Sequence, residues 1–330
     1  MKLLRWLALV GATALLVGCG GGDGSTGAEE GMITLDTKKN PLAPPQPRWY
    51  LRLTLDNHPS AENVGILMAS ERGYFSDLRI SVLVSTPATT GRPVRYVMDG
   101  RADIGVTHQP QVAMAQERGK PVVAFGSLVS QPTMAMIWPR KSGIEDVSDL
   151  QGKTVAILEA PVHESFLEIV LARAGLTLAD VKLRRVERDL APELAGGRAD
   201  AIFGGSRNVE GAELEAGGMK VTSTPVTELG IPPFDELVLF AQRDFASEEP
   251  ELMRRFRVAV ARGAAAAIED PRAAVEVILE TPGGEPARKA TEAAVEATLP
   301  LLSKTGRVSP ARTRRLVEWM QEQGHERGGR

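Results

Sequence analysis

Cysteine occurs once in the 330 residues, at Cys19. From Trp49 onward the chain therefore has no means of forming a disulfide, a thiolate metal site or a cysteine nucleophile. Strong charge of one sign is also missing. The formal net charge is −3, and without Lys2 and Arg5 the balance is 37 basic against 42 acidic residues, which argues against a nucleic-acid partner and leaves no basic patch for a membrane surface. From Trp49 onward no Gly-x-Ser-x-Gly elbow is present for a serine hydrolase, and no Walker or dinucleotide-binding glycine motif for a nucleotide. These absences point to binding rather than catalysis, with no cofactor. The one long apolar run, Leu7–Val17, is too short to cross a hydrocarbon core of roughly 30 Å comfortably.

That run lies between Lys2 and Arg5 on one side and Leu16-Val17-Gly18-Cys19 on the other. The arrangement resembles a bacterial lipoprotein signal peptide with its lipobox. The alternative is an uncleaved anchor ending in an ordinary buried cysteine. The resemblance implies removal of residues 1–18, lipidation of Cys19 and attachment to the extracytoplasmic face of a membrane, since a thioether lipid plus an acylated amino terminus supplies the two signals stable anchoring needs. Residues 19–48 read as a tether, first Gly-rich (Gly20, Gly21, Gly22) and then Pro-rich (Pro41, Pro44, Pro45, Pro47), flexible near the membrane and stiffer beyond it.

From Trp49 the sequence alternates short β-branched runs with amphipathic stretches, the pattern of an α/β protein. Strands are predicted at 50–55, 80–84, 104–106, 122–128, 134–138, 155–158, 181–186, 201–203, 220–224 and 237–241. Helices are predicted at 63–72, 110–118 and 166–174, each followed by glycine. Two apolar extended stretches, 133–139 and 236–242, bracket about 100 residues, so they are expected to be crossover strands joining two lobes. Lobe 1 would comprise 49–135 and 238–330, and lobe 2 would be inserted as 136–237. The tail at 248–323 is helical in composition, with Leu252, Phe256, Val260 and Ala264 on one face, and is expected to pack on lobe 1.

Three elements carry a family resemblance. Met68-Ala69-Ser70-Glu71-Arg72-Gly73-Tyr74-Phe75 resembles the A-x-x-x-G-Y-F helix end of periplasmic-binding proteins for nitrate, sulfonates and thiamin precursors. Gly100-Arg101-Ala102-Asp103-Ile104-Gly105 is similar to their G-x-A-D-I-G element, and Asp149-Leu150-Gln151-Gly152-Lys153-Thr154-Val155 to their D-L-K-G-K-x-V. Within that group, Gly204-Gly205-Ser206-Arg207-Asn208-Val209-Glu210 and Ile231-Pro232-Pro233-Phe234-Asp235-Glu236-Leu237 are most similar to the formylaminopyrimidine-binding (ThiY-like) proteins. The resemblance implies a type II periplasmic-binding fold, two α/β lobes around a ligand cleft joined by two crossover strands. It also implies a small-molecule ligand, an ABC permease with its ATPase as partners, and no enzyme activity. Pyrimidine-synthase relatives carry a cysteine-rich motif and a lysine for a pyridoxal cofactor, and neither is matched here. Sulfonate, nitrate or riboflavin-type ligands are the alternatives within binding proteins, and a pyrimidine-metabolism enzyme the alternative outside them. Asn57 stands where the family commonly has tryptophan, and His108 where it has tyrosine.

Ligands of α/β sheets sit beyond the carboxyl ends of strands. The candidates there are Asp56, Asn57 and His58 after the first strand, Thr107, His108 and Gln109 after the third, and Glu159 and His163 after the sixth. Gly205, Ser206, Arg207, Asn208 and Glu210 follow the eighth, and Phe234 flanks the last. Thr107 and Ser206 read equally as helix caps, and Asn57 and Asn208 as turn residues. Arg207 and Glu210, three apart, read either as a local ion pair or as a ligand-orienting arginine beside a carboxylate that accepts from an exocyclic amine. His58, His108 and His163 lack the spacing of a metal site, and none is expected.

Overall fold

The computed structural model describes residues 32–33, 48–88, 91–282 and 287–328. The expected signal peptide, Cys19 and most of the expected tether lie outside them. Eleven strands are seen among the described residues: β1 (Met32–Ile33), β2 (Trp49–Thr54), β3 (Ile80–Ser85), β4 (Ile104–His108), β5 (Val122–Val129), β6 (Met134–Pro139), β7 (Thr154–Leu158), β8 (Lys182–Val186), β9 (Ala201–Ser206), β10 (Val221–Pro225) and β11 (Leu237–Gln242). All ten predicted strands occur within a residue or a few of their expected ends. Two sheets result, ordered β1-β3-β2-β4-β11-β5 and β10-β6-β9-β7-β8.

In the first sheet β2 runs parallel to β3 and β4, while β11 lies antiparallel between β4 and β5. In the second, β7 is parallel to β8 and β9, and β6 is antiparallel to β9 and β10. The chain passes between sheets through residues 130–133 and returns through 226–236. The apolar stretches expected to cross are thus whole strands, β6 and β11, each belonging to one sheet, with the crossings immediately before them. Leu237 to Ala241 of β11 are all buried, as a central strand covered on both faces requires.

The helix Val64–Glu71 crosses the long helix Pro250–Glu269 at two glycines. A Cβ on Gly263 would fall 2.0 Å from the Gly65 carbonyl oxygen, so only glycine permits this approach. The expected face Leu252, Phe256, Val260 and Ala264 is buried in the first core, with the Phe256 ring 4.9 Å from Phe75. Truncating such an aromatic to alanine costs about 3–5 kcal/mol.

The last helix, Pro310–Gly328, corrects the expectation that the whole tail packs on lobe 1. Leu316 is fully buried in the core of the second sheet, and Trp319 meets Phe166 edge-on at 5.7 Å. At its start Arg312 pairs with Asp235 at 2.6 Å and Thr313 receives the Gln109 amide at 2.7 Å. The helix therefore touches elements of both sheets and the returning segment between them.

Candidate functional site

The carboxyl ends of β2, β4 and β9 converge where the sheets face each other. Asp56, Asn57 and His58 follow β2, His108 ends β4, and Ser206 ends β9. With Ser60, Glu62, Leu158, Gly204, Val209 and Glu210 they line a cavity of about 40 Å³. Among the described residues lining it there is no lysine or arginine. Three carboxyl groups and two imidazoles dominate its chemistry.

Glu62 enters through local structure. The Ser60 hydroxyl accepts from the Glu62 N–H, and the Asn63 side chain accepts from the Ser60 N–H, a capping box that starts a single 3-10 turn, Ala61–Asn63, ahead of the helix. This places Glu62 in the first turn, 5% exposed and facing the second lobe. Its Oε1 accepts from Thr133 Oγ1 at 2.8 Å and from Asn208 Nδ2 at 3.2 Å. Asn208 also donates to Thr298 Oγ1 at 2.7 Å. One amide thus holds two elements of the first lobe from the second.

Glu236, wholly buried, stands beneath the cavity. Its Oε1 lies 2.7 Å from His108 Nδ1, and its Oε2 accepts the backbone N–H groups of Thr133 and, at 2.9 Å, Met134. Both crossings are therefore pinned by one carboxylate. Burial alone would lower the His108 pKa. The hydrogen bond and charge of Glu236, reinforced by Asp56 and Glu62, override it and raise it to about 9. Burial would likewise raise Glu236, but His108 and the two N–H donors hold it below the ordinary glutamate range. His108 and Glu236 form a charged pair at neutral pH.

The other acids move the opposite way. Burial, then the charge on Glu236, pushes Glu62 up to about 7. Burial, then Glu62, pushes Glu210 up to about 8. Burial raises Asp56 as well, and its Oδ1 has no protein partner. His163 is driven down to about 3 by burial and then by the charge on His108; the two rings lie edge to face at 5.7 Å. Gly204 makes room for that ring. Its φ is +89°, and a Cβ there would lie 2.8 Å from His163 Cδ2.

Of the residues predicted from the sequence, Asp56, Asn57, His58, His108, Ser206 and Glu210 line the cavity. His163, Gly205 and Asn208 support it from behind. Glu210 turns onto the Ser206 N–H at 2.7 Å rather than toward Arg207, so the expected local ion pair gives way to a backbone bond. The Arg207 Nε has no protein partner, while its own N–H donates to the Thr133 carbonyl.

Four predicted residues lie elsewhere. Thr107 is buried and bonds Gln111 at 2.8 Å. Gln109 bridges the Asp235 N–H and Thr313, so its amide is spent on chain packing. Phe234 is fully buried in the second core, 6.3 Å from Phe166, because the following strand turns its ring inward. Glu159 is exposed on a separate groove. Glu62 and Glu236 were not singled out by the sequence, although Ser60 and Asn63 at capping-box spacing marked the turn that carries Glu62. Among the described residues no group of three or more His, Cys, Asp or Glu is arranged to hold a metal ion, and no helix is long and apolar enough to cross a membrane.

Two sheets joined by two crossings, with polar strand ends facing across a cleft, define a type II periplasmic-binding fold. The periplasmic aliphatic sulphonate-binding protein SsuA of Escherichia coli superposes with a TM-score of 0.65 at 16% identity, covering 84% of this chain and 92% of that one. The NMT1/THI5-like family model matches residues 60–274, and the chain belongs to that family. A Haemophilus influenzae protein named for thiamine biosynthesis is 26% identical over 275 residues, 83% of this chain and 87% of its own. The formylaminopyrimidine-binding protein of Halalkalibacterium halodurans is 28% identical over 229 residues, 69% of each chain. Other relatives are named 4-amino-5-hydroxymethyl-2-methylpyrimidine phosphate synthase, among them one from Schizosaccharomyces pombe, 24% identical over 62% of each chain.

Proposed function

We propose that this protein is the lipid-anchored solute-binding component of an ABC importer, and that it carries a thiamin-precursor pyrimidine or a related nitrogen heterocycle. The observation that carries the reading is the acidic cavity between the lobes. Asp56, Glu62 and Glu210 offer carboxyl oxygens, and no lysine or arginine among the described lining residues balances them. A sulfonate or nitrate would find no lysine or arginine among the described lining residues, whereas ring nitrogens and exocyclic amines would meet carboxyl groups that accept when ionised and donate when protonated, and burial keeps Glu62 and Glu210 close to that balance. His108 and His58 are the flat groups available to the ring, in place of the family's usual aromatics. The name of the Halalkalibacterium halodurans relative supports the same ligand class.

The cavity's 40 Å³ is far below the roughly 300–1,000 Å³ of ordinary ligand pockets, so solute enters with the lobes apart and is enclosed as they meet. Closure by a ligand that touches both lobes gives a permease a shape to recognise. In this reading lobe 1 is 49–135 with 238–330, apart from the last helix, Pro310–Gly328, which packs into the second core; lobe 2 is 136–237, and Cys19 holds the protein outside the membrane with residues 19–48 as tether.

A second reading, an enzyme of pyrimidine metabolism on the same fold, draws on the synthase relatives. The body lacks the cysteine and the matched lysine motif of such enzymes. A thermal-shift panel of an aminopyrimidine, an alkanesulfonate and a flavin tests the proposal. The aminopyrimidine should raise Tm, corresponding to about 2.7 kcal/mol at a hundredfold excess over Kd, and should be recovered unchanged. Stabilisation by the sulfonate alone, or conversion of the pyrimidine, would overturn it.

A further inference from the structure

The acidic cavity does not end the cleft. His58, Ser60 and Val209 are also walls of a second chamber, about 510 Å³ in volume. The inner space is small, whereas the outer one falls within the roughly 300–1,000 Å³ range of ligand pockets. Both lobes build the outer chamber. Its inner surface is small and apolar, with Pro192 from the second lobe facing Ile278, Ala290 and Ala294 from the first.

Its rim is charged. Asp189 and Glu213 stand against one guanidinium, that of Arg188, whose Nη2 already donates to the Pro87 carbonyl at 3.1 Å. On the shared wall, His58 Nδ1 lies 3.3 Å from Asp189 Oδ1, so the imidazole between the chambers is held by the opposite lobe. Aliphatic wall beside two carboxylates and one guanidinium suits a cation whose charge is spread over carbon.

We propose that the outer chamber takes the second half of a two-part solute, a cationic ring or amine tethered to the donor-bearing heterocycle in the inner cavity. The inference rests on the solute-binding reading above. It makes the small size of the inner cavity a filter for the head group and gives the length of the solute to the helix that carries Ala290 and Ala294.

Calorimetry of the full mature protein with two probes tests it. 4-Amino-5-hydroxymethyl-2-methylpyrimidine offers one neutral ring, and thiamin offers a comparable aminopyrimidine with a cationic second ring. Thiamin should bind roughly tenfold tighter or more, as burial of a second ring implies. Ala290→Phe, which fills the chamber without touching the inner cavity, should remove that advantage and leave the single-ring probe within about twofold. Glu213→Gln should weaken thiamin alone, by up to about fivefold, the limit for an exposed charge. Equal affinity for the two probes in the unaltered protein, or equal losses for both in Ala290→Phe, would overturn the two-part solute and leave the inner site standing. Binding of neither probe would overturn both.

Discussion

Glu236→Gln is the sharpest perturbation available, because one buried carboxylate serves His108 and both lobe crossings. The amide keeps a single acceptor oxygen. If that oxygen takes the Thr133 and Met134 N–H groups, the new NH₂ faces an imidazolium Nδ1–H that lies 2.7 Å from the present carboxylate. If it turns to His108, two backbone donors at the crossing lose their acceptor. Removing one partner of a buried ion pair generally costs about 3–5 kcal/mol. His108 limits the loss by giving up its proton, so about 2–4 kcal/mol is expected. The pair also sets pH dependence. With Glu236 present the folded His108 titrates at about 9, above an unfolded value near 6.5. Its contribution to stability is therefore complete below about pH 6.5 and disappears as pH rises through about 9. In Glu236→Gln the burial effect is no longer opposed by its largest partner, and His108 should titrate below 6.5. Urea unfolding from pH 6 to 9, with imidazole resonances followed by NMR, reads both quantities. An unchanged unfolding midpoint together with a His108 pKa still near 9 would refute the reasoning.

Glu210→Gln should weaken binding of the heterocycle by about 1–3 kcal/mol, the usual cost of losing a buried polar partner. Its folded pKa of about 8 also means that the protein loses stability as pH rises from the ordinary glutamate range through about 8, and the substitution should flatten that slope. Chemical denaturation at pH 5 and pH 8 checks this, and equal slopes in both proteins would count against it. Cys19→Ser should abolish incorporation of a fatty-acid analogue, because a hydroxyl cannot form the thioether. Label persisting on the substituted protein would contradict the proposed anchor.

Ten strands were legible because β-branched runs and glycine-terminated helices repeat clearly along the chain. The cavity loops were legible for a related reason, since polar residues directly after parallel strands face the cleft wherever the next helix begins. Side-chain direction was not. Thr107 and Gln109 sit beside His108 in the sequence, yet Thr107 turns to Gln111, four residues on, and Gln109 to Thr313, 204 residues away. Glu236 reads as an ordinary residue at the start of an apolar strand. Its importance comes from meeting Thr133, in the first crossing, and His108, at the end of β4, while wholly buried. Phe234 was a candidate because it flanks that strand; the second core claims it instead.

Mass spectrometry of small molecules released from the protein, purified from its native host, tests the central claim most directly. The expected species is an aminopyrimidine or an extended cationic derivative of one, present in near-stoichiometric amount and lost on Glu210→Gln. Recovery of an alkanesulfonate or another anion from the same cleft would contradict the account.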